Sequence, residues 1–470
     1  MIKWRQYSYY LVAFSPIIIG IISGNVLYAD DLYRIEYGIT NWSGDGRLAA
    51  EWLFSFLFLF SGAVDLYPAP QIAGYACICL CSYLISEKVF NEHSVKTLIA
   101  TSFLVVSPLY LQNMLFRFDS LTMSLAVLMS VIPAVTYKKS LAWVASSIAM
   151  LSLAMLLYQQ ASVVFFSVML IASFLSISLD EYKDIIIKAS LALLCYLVAA
   201  VIGVIAVKMS VVDGAYGANH SQLVGLNIDG IMVVNNNIHE SFTLMRKAIS
   251  GNMKYASFIM LLGFLASISI AVIKKRIFLH HAVIILMSLI ACIIFAAGIT
   301  ILSSNAAINP RSFIGFGFAF CFCAVVTTYF IGNKSIVFNA PLCVMFFSSC
   351  LAITNANTKM DNYQNYIAKS VREHIYNNGE IKDISFSGVL AEPSQVSNVK
   401  ESFPVANSIV INNMYEGSVN ACITLALNGV KVECNTYEPT KYDYEKGVVV
   451  WKDPDYKLIK SGSHMIVKFN

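Results

Sequence analysis

Charge is what this sequence has least of. Only 13% of its 470 residues are Asp, Glu, Lys or Arg, while 57% are hydrophobic. A soluble globular chain carries about a quarter charged residues, so this composition excludes an ordinary soluble domain and points to a polytopic membrane protein. The net charge of +4 is too small to recruit a nucleic acid, and no DNA- or RNA-binding motif is present. A small residue is also missing where a signal peptidase would need one: Leu27 stands at the −3 position before Ala29. Residues 1–29 are therefore expected to stay as a first helix. Cysteine outside the apolar stretches is scarce. Nine of eleven lie in them, where a thiol acts as a small hydrophobe, and the other two are Cys422 and Cys434 in the polar tail. That isolated pair is free to form a disulfide in an oxidising compartment. Cys77, Cys79 and Cys81 alternate along a helix and so do not face one point, and no metal is expected there.

What the chain does have is long uncharged runs. A helix needs about 20 apolar residues to cross the hydrocarbon layer. Runs of that order occupy 6–29, 66–86, 97–116, 120–137, 189–207, 255–273, 312–333 and 335–358. The run 140–179 is twice as long and divides into two helices at "LLYQQAS", and 277–310 holds one span near 282–302 before the polar "SSNAAINP". The expectation is a polytopic α-helical fold of about eleven spans. The apolar segment 52–64 is too short to cross and is expected to lie along the interface. With the N-terminus inside, the inner turns carry Lys3, Arg5, Lys88, Lys96, Lys138, Lys139, Lys183, Lys188, Lys274, Lys275, Arg276 and Lys334, which satisfies the positive-inside rule. The first loop 29–65, the loop 209–254 and the tail 359–470 then lie outside.

The two faces also differ in the kind of basic residue. Ten of those twelve inner residues are lysine, whereas the short outer turns carry Arg34, Arg47, Arg117 and Arg311. Arginine presents a planar fork that grips a phosphate at two points, so the bias points to an anionic ligand at the outer face; each arginine could instead pair with a nearby Asp. On the same face lie the adjacent Asp30 and Asp31, Asp119 in "LFRFDSLTM", and Gln159 and Gln160 after Tyr158. A carboxylate, several arginines and a membrane edge suit transfer of a sugar from a lipid phosphate. The carboxylate takes the proton of an acceptor hydroxyl, and arginines stabilise the departing phosphate. Hydrolysis by a glycosidase would usually need a second carboxyl as acid. In an extended segment Asp30 and Asp31 point to opposite sides; alternatively the pair caps an interfacial helix beginning near Leu32.

The stretches "YADDLYRIEYG…W…GDGRLAAEWL", "FRFDSLTM" and "YQQAS" resemble the serotype-converting O-antigen glucosyltransferases of enteric bacteria and their phages (Gtr-type enzymes). The specific motifs lie before residue 165. The resemblance implies a GT-C-type catalytic domain over 1–358 in the bacterial inner membrane, with the N-terminus cytoplasmic. It implies undecaprenyl phosphate-glucose as donor, used in the periplasm without a metal or other cofactor, and a sugar of lipid-linked O-antigen as acceptor. A glucosyl-lipid synthase and a flippase would be functional partners. The base would be Asp30 or Asp31. Arg47, Arg117 and Arg311 would hold the donor phosphate, and Asp119, Tyr158, Gln159 and Gln160 would line the sugar or acceptor site. Tyr33, Tyr37 and Trp42 would stack on sugar faces or serve as interfacial aromatics.

Residues 359–470 break with the rest, with charges every few positions. "DNYQNYIAKSVREHIYNN" has helical spacing with Tyr366, Ile367, Val371 and Ile375 on one side. "ISFSGVL", "SIVIN", "GVVVW" and "MIVKF" are β-rich runs between turn residues. A small periplasmic α/β domain is expected, placed to recognise the acceptor. The rival classes are a flippase or transporter of a lipid-linked sugar, an O-antigen polymerase or ligase, and a non-catalytic glycan-binding scaffold. A transporter would place ionisable groups near mid-bilayer, and the uncharged runs leave almost none there.

Overall fold

The computed structural model describes residues 3–178, 182–210, 222–225, 227–377, 380–436 and 447–470. The first apolar run is bent. α1 (Trp4–Ala13) and α2 (Ser15–Gly24) meet at 55°, because Pro16 in the first turn of α2 cannot donate back into α1. Asn25 then closes α2 in the left-handed region, φ 50°. Two short helices follow outside the long apolar stretches, α3 (Asp30–Tyr37) and α4 (Leu48–Leu57). α5 is Ala69–Phe90. α6 (Val95–Thr101) and α7 (Pro108–Leu115) form a second bent pair at 65°, broken at Pro108. α8 (Asp119–Val135), α9 (Leu141–Tyr158), α10 (Val164–Ser178) and α11 (Tyr182–Ser210) follow. Helices Ile228–Ala248, Met253–Ile273, Leu279–Ala296, Gly315–Ile331 and Ile336–Asn377 complete the apolar part.

Among the described residues, six helices are long and apolar enough to cross a bilayer, or up to eight if each bent pair is one crossing. The remaining expected spans are also helical, but Asp119–Val135 and Val164–Phe174 are shorter apolar helices, and Gly315 to Asn377 runs as one long stretch through a 3₁₀ turn. Charge-free length registers apolarity and misses the breaks at proline and glycine. Leu193, Leu194, Val201 and Val204 on α11, and Phe258, Leu261 and Leu265 on Met253–Ile273, point outward, as helices facing lipid on one side must. In the expected loop 209–254, residues 211–221 and 226 lie outside the described residues. The helix Ile228–Ala248 is tied down by Asn237 Nδ2, which donates to the carbonyls of Ile301 and Ser303 at 3.0 and 2.9 Å.

The last long helix crosses the expected border at 358/359 without interruption and carries the C-terminal domain. Ile367, Val371 and Ile375 are buried as their spacing requires, whereas Tyr366 faces out. Five strands are ordered β2-β1-β5-β4-β3 (β1 Asp383–Ser387, β2 Glu433–Asn435, β3 Val448–Lys452, β4 Tyr456–Ser461, β5 His464–Phe469). β1 is parallel to β2 and β5, and β3, β4 and β5 pair antiparallel. The run "SIVIN" is no strand: a 3₁₀ turn at Pro404–Ser408 and irregular chain occupy that region. Cys422 and Cys434 are joined in a disulfide, with Cα atoms 5.5 Å apart, which fastens helix Val419–Leu427 to β2. The domain docks on the first loop. Tyr28 Oη donates to the Ile409 carbonyl at 2.7 Å and accepts from Gln112 Nε2 at 3.0 Å, and helix Val419–Leu427 packs on α3.

Candidate active site

The two aspartates open α3; they are not in an extended segment. The helix starts at Asp30, two residues earlier than expected, and both acids lie in its first turn, where negative charge is favoured. Successive helical residues point about 100° apart, and this separates their fates. Asp31 is wholly buried. Its Oδ2 accepts the backbone N–H groups of Tyr28 at 3.2 Å and Arg117 at 2.7 Å, and its Oδ1 that of Phe118 at 3.3 Å. It therefore splices the start of α3 to the link between α7 and α8. Asp30 has 55% of its side chain exposed and touches Arg311 Nη1 at 3.4 Å.

Burial pushes the Asp31 carboxyl up to about 7, helped by the nearby Asp119 charge and opposed by the two backbone donors and Arg34. An unfolded aspartate ionises near 3.9. Between the two values the folded state binds one more proton, so the contribution of this group to stability falls as pH rises from about 4 to about 7 and is level above. Thermal unfolding across that window should show the decline, and Asp31→Asn should flatten it. Parallel slopes for the two proteins would remove Asp31 as its source.

Beneath α3 lies a buried charged knot. Asp119 opens α8, and its Oδ1 accepts from Trp42 Nε1 at 2.6 Å and Arg47 Nη1 at 2.7 Å. Arg34 Nη2 stands 3.6 Å from Oδ2. Arg47 also donates from Nε to the Leu157 carbonyl at 2.9 Å and from Nη2 to Thr122 Oγ1 at 2.8 Å. Arg34 donates to the Thr40 carbonyl at 2.6 Å and lies 4.0 Å over the Trp42 ring. Trp42 is wholly buried and stacks on Phe54, ring centres 4.5 Å apart. The expectation that Trp42 stacks on a sugar is thus overturned, since its two faces and its N–H are occupied by protein. Arg47 and Asp119 are likewise committed to each other.

Arg117, buried, donates to Asp65 Oδ2 at 2.6 Å and Asn25 Oδ1 at 2.7 Å and lies over Tyr67 at 4.3 Å. It ties the end of α2 to the chain before α5. Of the three arginines expected at the phosphate, Arg311 is the most open, with 24% of its side chain exposed. Its backbone is fixed: its N–H donates to Gln112 Oε1 at 2.7 Å, and its carbonyl accepts from Tyr158 Oη at 3.1 Å and Asn113 Nδ2 at 3.3 Å. The guanidinium lies 5.1 Å over Phe116. Tyr33 and Tyr37 share the face of α3 that carries Asp30, at i+3 and i+7, with 44% and 55% exposure and rings 4.7 Å apart. Gln159 Nε2 donates to the Gly46 carbonyl at 3.1 Å. Gln160 Oε1 is buried without a hydrogen-bond partner among the described residues. The structure thus brings Asp30, Arg311, Tyr33 and Tyr37 to one open rim and sinks Asp31, Trp42, Arg47, Arg117 and Asp119 beneath it. Gln112, which holds both Tyr28 and Arg311, was missed. Its signal was a Gln-Asn pair inside the otherwise apolar run 97–116. Among the described residues no group of three or more His, Cys, Asp or Glu side chains is placed to hold a metal ion.

Fold and site together define a multi-pass helical membrane protein with an exposed acid and an arginine at one end of its helices, over a buried ionic knot. The model of the glucosyl transferase GtrII family matches residues 20–328, and the chain belongs to that family. It is also 25% identical over 236 residues to a protein of Salmonella phage P22 described as an uncharacterized 55.3 kDa protein in the gtrB 5′ region, covering 48% of this chain and 47% of that protein. The chain therefore spans about half the length of that relative. The family match takes in every candidate residue from Asp30 to Arg311 and stops before the C-terminal domain.

Proposed function

We propose that the protein transfers glucose from undecaprenyl phosphate-glucose to a sugar of lipid-linked O-antigen on the periplasmic side of the inner membrane, with inversion at the anomeric carbon. On this reading the apolar part is a GT-C-type domain of eleven crossings, counting the bent pairs and shorter helices, with the N-terminus cytoplasmic and the C-terminal domain outside. The carrying observation is that Asp30, unlike Asp31, is an exposed carboxylate, 3.4 Å from an arginine that is partly exposed, in a chain of the GtrII family. A contact of that length between partly exposed groups is weak and yields to ligands. The acceptor hydroxyl attacks C1 from the face opposite the phosphate and its proton passes to Asp30. The C1–O bond to phosphate breaks, and Arg311 stabilises the charge that the leaving lipid phosphate gains. Clustering of the charged groups at one end of the helices favours an enzyme over a transporter, which needs them at mid-depth.

Transfer by purified protein from undecaprenyl phosphate-glucose to lipid-linked repeat units, with the linkage of the product determined, tests the reading. Absence of transfer, or retention of configuration, would sink it. Arg311→Lys keeps the charge and loses the fork. It should raise the donor KM roughly tenfold, the weight of one charge-assisted hydrogen bond, with the acceptor KM unchanged.

A further inference from the structure

Asp45, in the stretch Gly44-Asp45-Gly46-Arg47, ends the 3₁₀ turn Ser43–Asp45. Two glycines make that turn. Gly46 has φ +73°, and a Cβ there would come within 3.0 Å of Gln159 Nε2 and 3.1 Å of Val207 Cγ2. A Cβ on Gly44 would come within 2.6 Å of Asn41 Oδ1. The turn is wedged against the tip of the α9–α10 hairpin, held by Gln159 on the Gly46 carbonyl and by Arg47 on the Leu157 carbonyl. Arg47, two residues on, is engaged below through all three guanidinium nitrogens, and the Asp45 backbone N–H closes the turn on the Trp42 carbonyl at 3.1 Å. The Asp45 carboxylate is half-buried and takes no hydrogen bond or ion pair among the described residues.

The other acids of the first loop differ. Asp31 holds backbone, Glu51 accepts from the Ser43 N–H at 3.1 Å, Asp65 pairs with Arg117, and Asp30 meets Arg311 at the rim. Glu36 also takes no bond, but Asp45 is the one surrounded by the site's charges: Arg47 and Arg34 attract it, and Asp119 and Asp30 repel it. Burial, the largest influence, pushes its carboxyl up. Both arginines are already shared with Asp119. A second anion is unwelcome in such company, so the lipid phosphate belongs at Arg311. Two acceptor oxygens with no donors among the described residues, in the turn that links Trp42 to Arg47 of the knot, fit neutral hydroxyls.

We propose that Asp45 is a sugar-binding residue, accepting hydrogen bonds from the hydroxyls of a pyranose ring held beside Asp30. This rests on the glucosyltransferase reading. The ring has two sources, the hexose of the donor or the sugar of the acceptor. The test compares wild type with Asp45→Ala and Asp45→Asn in binding polyprenyl phosphate-glucose and sugar-free polyprenyl phosphate, and in acceptor KM. A loss of about tenfold for the glucosylated lipid with less than about twofold for the sugar-free lipid places the donor hexose on Asp45. A comparable rise confined to acceptor KM places the acceptor sugar there. Unchanged values in all three measurements overturn the inference. So does a parallel fall in all of them with lowered thermal stability, which would make Asp45 part of the scaffold. Because the lipid-binding arms need no turnover, failure of wild type to transfer glucose is read separately, as failure of the proposed reaction.

Discussion

Asp30→Asn should lower glucosyl transfer by about 10²–10⁴-fold, the usual loss on removing a general base, while the purified protein unfolds at the same temperature as wild type. Both halves follow from the position of the side chain. The amide keeps the shape and the contact to Arg311 Nη1, so nothing buried is disturbed, but it no longer accepts the proton that the acceptor must shed. Asp31→Ala should do the opposite. Three backbone N–H groups at 2.7–3.3 Å would be left without their acceptor in a buried place, at about 1–3 kcal/mol each, and stability should fail before chemistry does. Measuring activity and melting temperature on the same preparations separates the two. If Asp30→Asn retains full activity, or Asp31→Asn loses activity with an unchanged melting temperature, the base has been assigned to the wrong neighbour.

That distinction was not legible in the sequence, and the reason is geometric. Asp30 and Asp31 are chemically identical and adjacent; only the helical start at Asp30 turns one outward and the other into the link between α7 and α8. The lysine-to-arginine contrast singled out Arg34, Arg47, Arg117 and Arg311, but not which of them is already paired. Arg47 and Asp119 are 72 positions apart, and their 2.7 Å contact depends on the start of α4 being brought to the start of α8. Trp42 followed the habit of interfacial aromatics, and Asp119 drew its N–H inside. The helices themselves were largely legible because long uncharged runs have few other uses, whereas the bends at Pro16 and Pro108 were hidden by counting charges alone. In the C-terminal domain the β-rich composition of β1, β3 and β5 was visible. β2 and β4 were not recognised, and "SIVIN" had strand composition without a strand's neighbour.

Asp119→Ala should destabilise the protein by about 3–5 kcal/mol, the range for removing one partner of a buried ion pair. Its carboxylate faces Arg47 at 2.7 Å, Arg34 at 3.6 Å and the Trp42 N–H at 2.6 Å. Removing it leaves two guanidinium groups and an indole donor buried without their acceptor. The first loop should loosen as a unit, because α3, Trp42 and α4 all meet there, and activity should fall because Asp30 no longer has a fixed floor. The readouts are melting temperature in detergent and protection of Trp42 and Arg47 peptides from hydrogen exchange. A double variant, Asp119→Leu with Arg47→Met, should be less destabilised than Asp119→Ala, since apolar residues replace a buried pair at little cost whereas an orphaned charge cannot be repaired. If Asp119→Ala instead folds as firmly as wild type and loses only turnover, Asp119 acts on the substrate, and the ionic knot is part of the reacting site.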